Sequence, residues 1–239
     1  MSEPFSWGQY AGYLDLAGEC GYRFAGFDEV ETSRGRVIYL RHDIDFALRW
    51  VPPMAELEHE HGVRSTYCFL LDSQNYASET AEFDATVART LELGHWLGLH
   101  FDATGIADDD VVVERVVSAA AALERRFGTE LTAVSFHMPT RRPVTQIELP
   151  APLVNTYGPR FFTEIGYASD SNQHWRGTDF EQMLRSGEHE RIQLLIHPMW
   201  WRADYMPMLA KLEELAAEIG MPIGDLLTDE QQALIDAGA

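Results

Sequence analysis

The chain has 239 residues and a formal net charge of −20, with 38 acidic side chains against 18 basic ones. Such a chain repels a polyanion unless its basic residues gather on one face, and here they are dispersed, so nucleic acid is excluded as a predicted partner. Hydrophobic residues make up 46% and charged residues 23%. This composition is typical of a globular protein and excludes a disordered or collagen-like chain.

The sequence carries no signal for a membrane or for export. No apolar run reaches the roughly 20 residues that cross a bilayer, and the first residues lack the basic and apolar regions of a secretion signal. We therefore expect a cytoplasmic protein without membrane insertion. Cys20 and Cys68 have no metal-binding spacing, so neither a disulfide framework nor a structural zinc knot is predicted. Without repeats or linkers, residues 1–239 are predicted to form one domain, whose oligomeric state the sequence leaves open.

The first predicted element is a helix. Ser6 and Gln9 have the spacing of a capping box, and Gly21 or Gly26 would end the helix. Beyond this helix, short apolar runs typical of buried strands alternate with helical patterns. The predicted strands cover residues 37–40, 65–71, 96–100, 132–136, 166–169 and 192–196.

Helical patterns follow most of these strands. The first begins at Pro52-Pro53, the second carries Phe83, Val87 and Leu91 at intervals of four, and the third follows Asp108-Asp109-Asp110. The three aspartates fit the positive end of a helix better than a cation site. Later helices are predicted after Thr178, over Met208–Ile219 and after Thr228. This alternation predicts a parallel sheet, either closed into a barrel or doubly wound.

Histidine or aspartate follows five of the predicted strands at the carboxyl end. In both candidate folds the chemistry collects at that end of the sheet. A single histidine or aspartate there is more often structural, but five such strand ends on one face indicate a site. The residues are Asp43, Asp45, His100, Asp102, His137, Asp170 and His197.

Asp43 and Asp45 are two apart in an extended chain, so both are expected to face one cavity, with His42 turned away to pack or orient. Two carboxylates this close repel each other unless a cation or a shared proton lies between them. Carboxylate and imidazole ligands suit zinc and similar first-row ions. His95 precedes a strand and is predicted to be structural.

The strings at these strand ends resemble the motifs of the polysaccharide deacetylase family, carbohydrate esterase family 4, in the family order. Within the family they resemble a divergent branch with the string Arg-His-Asp-x-Asp. The resemblance covers about residues 37–201 and implies an α/β fold, a distorted (β/α)7 barrel. The strings are Arg41–Asp45, Gly94–His100, Ser135–Pro139, Ser169–Ser171 and Leu195–Pro198.

The resemblance also implies roles for single residues. Asp43 would be the general base, Asp45 and His100 metal ligands, and His197 the general acid. The family's second motif has another histidine four residues after the first, where this chain has Thr104. His137 stands where the third motif has arginine. We infer that His137 completes an Asp-His-His set for a divalent metal, most simply Zn²⁺, with Asp102 as the fallback ligand.

Two further residues are predicted on the substrate side of the site. Asp170 would orient His197, and Trp200 would contact a sugar ring. The predicted function is a metal-dependent hydrolase that removes an N-acetyl group from an amino sugar or glycan precursor, cleaving a linear amide C–N bond. Two alternatives remain open. One is an amide or ester hydrolase acting on a small non-sugar metabolite, and the other is a catalytically degenerate glycan-binding protein.

Overall fold

The computed structural model describes residues 3–237 and contains alternating strands and helices. The strands are β1 (Arg23–Phe24), β2 (Val37–Ile44), β3 (Thr66–Leu70), β4 (Trp96–Asp102), β5 (Ala133–His137), β6 (Val154–Asn155), β7 (Gly166–Ser169) and β8 (Arg191–Ile196). The helices are α1 (Trp7–Glu19), α2 (Val51–Glu60), α3 (Ala81–Glu92), α4 (Asp109–Phe127), α5 (Pro159–Phe162), α6 (Phe180–Ser186), α7 (Met208–Ile219), α8 (Ile223–Leu226) and α9 (Asp229–Asp236).

All the strands run parallel, in the order β6-β5-β4-β3-β2-β8-β7, with β1 beside the start of β2. The two ends of this sheet approach each other across its interior. Gln193 on β8 donates hydrogen bonds from Nε2 to the carbonyl oxygens of Thr156 at 3.1 Å and Phe161 at 3.0 Å, both close to β6. Within residues 3–237, β6 and β7 do not pair. The predicted α/β fold, a distorted barrel, is therefore confirmed, and its open seam lies between β6 and β7.

Strand β2 has every residue buried, and its two faces meet different surroundings. Ile38 and Leu40 pack outward with residues of α1 and α7. Tyr39 points to the interior, where it contacts Phe27 and Phe161. Arg41, on the same face as Tyr39, lies within the interior and bonds to Gln193. The alternation expected of an extended chain thus sends odd-numbered residues of β2 into the barrel.

The helix signals in the sequence agree with the structure except at one cap. The Ser6 hydroxyl accepts the N–H of Gln9, and Thr228 and Gln231 form a complete capping box. The predicted cap at Thr178 is wrong by one residue, because Asp179 accepts the N–H of Gln182 and α6 begins at Phe180. Among residues 3–237, no helix combines the length and apolar character needed to cross a membrane.

The predicted first strand, residues 37–40, was too short. In the structure β2 continues to Ile44 because β3 pairs with residues 41–44 on one edge and β8 with residues 37–42 on the other. The two-residue strands β1 and β6 were not predicted, since two residues carry no periodicity. This longer β2 brings Asp43 into the sheet itself.

Two glycines provide a matched test of the packing. A Cβ on Gly98 in β4 would lie 2.6 Å from the Cys68 Sγ and 3.2 Å from the Ala133 carbonyl oxygen, whereas a Cβ on Gly12 in α1 meets nothing within 4 Å. We expect Gly98→Ala to lower the free energy of unfolding by about 1–3 kcal/mol. We expect Gly12→Ala to raise it by about 0.5–1 kcal/mol. Urea denaturation measures both, and an undiminished stability of the Gly98 variant would contradict the packing described.

Candidate metal centre

Asp45, His100 and His137 bring three ligand atoms to one point at the carboxyl end of the sheet. The Asp45 Oδ1 lies 2.9 Å from His100 Nε2 and 2.9 Å from His137 Nδ1. The two imidazole nitrogens are 3.2 Å apart. The three side chains come from residues just after β2, on β4 and at the end of β5, so parallel strands place them together.

The donor set fits a divalent metal ion. The His100 Nδ1 lies 3.2 Å from the carbonyl oxygen of Ser135, which can only accept, so Nδ1 donates and Nε2 of the neutral ring offers a lone pair. This lone pair faces the Asp45 oxygen, an arrangement that a cation relieves. Ligands of a tetrahedral zinc ion, at about 2.0–2.1 Å from it, lie about 3.3 Å from one another, close to the separations observed. The fallback ligand Asp102 instead accepts the N–H of Thr104 at 2.8 Å and does not join the cluster.

Asp43 lies beside this cluster, buried in the barrel interior. The Arg41 Nε is 3.3 Å from its Oδ1, and the Ser135 hydroxyl donates to its Oδ2 at 2.7 Å. Burial raises the pKa of Asp43, but Arg41, His100 and His197 together outweigh burial and hold that pKa below its usual range. Arg41 in turn donates to Gln193 Oε1 at 2.7 Å and lies over the Tyr157 ring at 4.4 Å. Asp43 is therefore an ionised carboxylate held in a fixed orientation.

His197 lies on another side of the cluster, with its Nε2 3.6 Å from Asp45 Oδ2. Its Nδ1 lies 2.7 Å from Asp170 Oδ1. Burial lowers the pKa of His197, but the charge of Asp170 and the hydrogen bond to it offset this effect and raise the pKa to about 9. The imidazole is consequently protonated at neutral pH, with Nε2 directed toward the cluster.

Asp170, predicted on the substrate side of the site, is buried behind His197. Its carboxylate is fully buried and accepts hydrogen bonds from the backbone N–H and ring of His197 and from the Trp201 Nε1. It lies behind His197 and does not line the pocket. The other predicted role of Asp170, orienting His197, agrees with these contacts.

The pocket above the cluster has a volume of about 410 Å³. Trp200 is part of its lining, although only 1% of the residue is exposed, and packs against Phe46 at 5.5 Å. Sequence reasoning missed an aromatic wall formed by Tyr157, Phe162 and Tyr167. Phe162 packs edge-on against Tyr157 at 5.5 Å and Tyr167 at 4.9 Å.

His42 and His95, which were predicted to be structural, lie outside the pocket. His42 turns away from the interior, and its Nε2 lies 2.7 Å from the Glu58 Oε1. His95 lies between the Ser65 backbone N–H, which donates to its Nδ1 at 3.2 Å, and the carbonyl oxygen of Ala55. Both side chains are buried and neither lines the pocket.

No family model matches the sequence, and no curated protein matches it. Solved structures similar to the chain include the peptidoglycan deacetylase PdaC from Bacillus subtilis, with 14% identity, a TM-score of 0.48 and coverage of 78% of this chain and 85% of PdaC. The deacetylase PplD from Streptococcus pyogenes has 12% identity, a TM-score of 0.44 and coverage of 79% and 80%. BA3943 from Bacillus anthracis, described as a CE4 family pseudoenzyme, has 10% identity, a TM-score of 0.46 and coverage of 78% and 61%.

The chain therefore spans less than two thirds of the length of BA3943. CE4 denotes carbohydrate esterase family 4, the family that the sequence motifs resemble.

The pairing of Asp170 with His197 gives a test by titration. In Asp170→Asn the charge is removed, and we expect the pKa of His197 to fall from about 9 toward the ordinary 6.5, as measured by NMR on metal-free protein. Because the pKa is raised on folding, the wild-type pairing stabilises the fold below about pH 6.5, and this stabilisation is lost as the pH rises through about 9. The variant should lack that dependence.

Asp204→Asn, at an exposed aspartate outside the pocket, is the control and should leave the His197 titration unchanged. An unaltered pKa of His197 in Asp170→Asn would contradict the role given to the pair.

Proposed function

We propose that this protein is a metal-dependent deacetylase that hydrolyses the N-acetyl amide of an amino sugar or glycan precursor. One observation carries the proposal: Asp45, His100 and His137 meet in a pocket that also contains Asp43 and His197. A ligand set, a carboxylate and a protonated imidazole around one small volume are the components of metal-assisted hydrolysis.

Asp45, His100 and His137 would hold the ion. One carboxylate and two imidazoles suit Zn²⁺, which we propose as the ion. When bound, a divalent ion there polarises the acetyl carbonyl and increases the acidity of a water molecule.

Asp43 is the proposed general base. It accepts a proton from the attacking water, and its pKa below the usual range keeps it ionised and ready to do so at neutral pH. The Ser135 hydroxyl donates a hydrogen bond to Oδ2 and the Arg41 guanidinium pairs with the carboxylate, and these contacts orient it in the pocket. A positioned base of this kind contributes about 10²–10⁴-fold to a rate.

His197 is the proposed general acid. As the C–N bond breaks, Nε2 donates its proton to the departing amine nitrogen, which leaves as a neutral amine. Asp170 stabilises the imidazolium beforehand and fixes its ring through the bond to Nδ1. Asp170 thus favours the protonated form of His197, and Arg41 favours the ionised form of Asp43.

The aromatic wall supports a sugar as the substrate. Phe162, which is 37% exposed, and Tyr167 present ring surface to the pocket and can pack on the apolar face of a pyranose. Trp200, which also lines the pocket, remains a proposed contact. A small non-sugar amide or ester would use the same acid and base but has no need of this wall.

A glycan-binding protein without catalysis is the less favoured alternative. Glycan binding alone does not require a buried carboxylate such as Asp43 near a histidine, His197, that is hydrogen-bonded to Asp170. Perturbed ionisable groups of this kind concentrate at catalytic sites. We therefore place catalysis ahead of binding alone.

Metal content and hydrolysis together test the proposal. Protein purified without a metal-affinity tag should contain close to one equivalent of zinc after reconstitution, by elemental analysis. We expect Asp45→Ala and His137→Ala to lose the metal because each removes one of the ligands. The matched control Asp102→Ala should keep it, since Asp102 lies outside the cluster.

Asp43→Asn separates catalysis from metal binding. This variant should retain the metal, and release of acetate from N-acetylated sugars should fall by about 10²–10⁴-fold. Unchanged turnover in Asp43→Asn would rule out the assigned base. A wild-type protein that binds no divalent metal would rule out the proposed centre.

A further inference from the structure

We infer that residues 228–231, at the start of α9, restrict the substrate to a single amino-sugar residue, either free or at the end of a glycan. The inference rests on the proposed deacetylase function and names its substrate class. Residues in the interior of a linear polymer would be excluded.

The segment forms part of the pocket wall although it lies outside the barrel. It follows the last strand by more than a whole helix and returns to the carboxyl end of the sheet, where β7 ends. Two contacts hold it there. Gln231 Nε2 donates to Asn172 Oδ1 at 3.1 Å, and Arg176 Nη2 lies 2.7 Å from Glu230 Oε1. Asn172 and Arg176 are themselves part of the wall.

Gln231 uses both ends of its amide in this arrangement. Its Oε1 accepts the backbone N–H of Thr228 at 3.0 Å, and its own backbone N–H donates to the Thr228 hydroxyl at 3.2 Å. With Nε2 bound to Asn172, the side chain is fully committed and only 2% of the residue is exposed. A buried amide with every polar group satisfied fixes the segment against the β7 loop.

The attachment of α9 does not depend on these polar contacts alone. Leu234 and Ile235, one turn further along, pack against the core cluster that includes Trp200 and Leu212. The helix is therefore held by apolar contacts, and the polar contacts at its start determine where the pocket wall lies.

Three further groups of residues line the pocket. Residues 138–141 after β5 form one wall, the aromatic wall forms a second, and Phe46 with Trp200 forms a third. The pocket volume of about 410 Å³ lies at the small end of the range for small-molecule sites, about 300–1,000 Å³. A polymer bound through an interior residue must leave its pocket in two directions, whereas a terminal residue leaves in one.

The test compares the methyl glycoside of N-acetylglucosamine with the hexamer of the same sugar, using the zinc-loaded full chain. For the wild type we expect kcat/KM for the glycoside to exceed that for interior residues of the hexamer by about tenfold or more. Mass spectrometry should locate any deacetylation of the hexamer at one end.

Two variants open the wall from opposite sides. Gln231→Ala removes the amide from α9, and Asn172→Gly removes its partner while tolerating the φ of 59° at that position. Each should raise deacetylation of interior residues relative to the glycoside by about fivefold or more. Gln232→Ala is the matched control, because the side chain of the neighbouring glutamine bonds to Asp236 and lies outside the pocket.

Wild-type protein that attacks interior residues as readily as the glycoside would overturn the inference, and so would variants whose selectivity matches that of Gln232→Ala. Calorimetric binding of the two sugars to the same proteins separates this failure from failure of the proposed function. One outcome would support the role of residues 228–231 but not the deacetylase. In it, neither sugar is hydrolysed, the wild type binds the glycoside, and Gln231→Ala binds the hexamer more tightly than the wild type does. Binding of neither sugar would overturn both.

Discussion

The alternation of side chains along β2 is the constraint on which the rest of the site depends. Its odd-numbered residues enter the barrel, where Arg41 and Asp43 form an ion pair with side chains 0% and 2% exposed. Burying either charge alone would cost several kcal/mol, so the pair tolerates neither the loss of one member nor its rotation to the other face. A slip of one residue would put His42 and Ile44 inside and both charges among the helices. Pairing on both edges, with β3 and β8, prevents that slip.

The outward face of β2 is fixed by a second buried charge. Glu58 on α2 accepts hydrogen bonds from the hydroxyls of Tyr10, Ser65 and Tyr67 and lies beside the His42 ring. Burial raises the pKa of Glu58, but His42 and the other donors outweigh burial and lower the pKa to about 2. The Glu58 carboxylate thus joins α1 and α2 to β2 and β3 on the face of β2 opposite Asp43. Buried charges thus fix the orientation of both faces of β2, and this strand supports the site.

Much of the candidate metal site could be predicted from the sequence, because the placement of its residues depends on local periodicity. The two-residue spacing of Asp43 and Asp45 predicted a shared cavity, and the positions of His100 and His137 after strands predicted that they would join it. The wall residues could not be found in this way. Tyr157 and Phe162 follow β6, which has two residues and no pattern, and residues 228–231 return to the pocket from the far end of the chain.

The position of Asp170 behind His197 could not be predicted for a related reason. The position of Asp170 after a strand predicted the correct end of the sheet. Whether its side chain faces the pocket or lies behind His197 depends on its contacts with His197 and Trp201, which come 27 and 31 residues later in the chain. A strand-end position alone does not contain that information.

The placement of β2 between β3 and β8 also constrains how the protein is made. Arg41 and its partner Gln193 are 152 residues apart, so one edge of β2 remains unpaired until most of the chain has left the ribosome. Through that interval the nascent chain exposes an apolar strand edge of the kind that promotes association between chains. Because long-range parallel pairing is intrinsically slow to form, the strand that carries Asp43 is completed late, and a truncated translation product lacking β8 would contain Asp43 and Asp45 without a finished site.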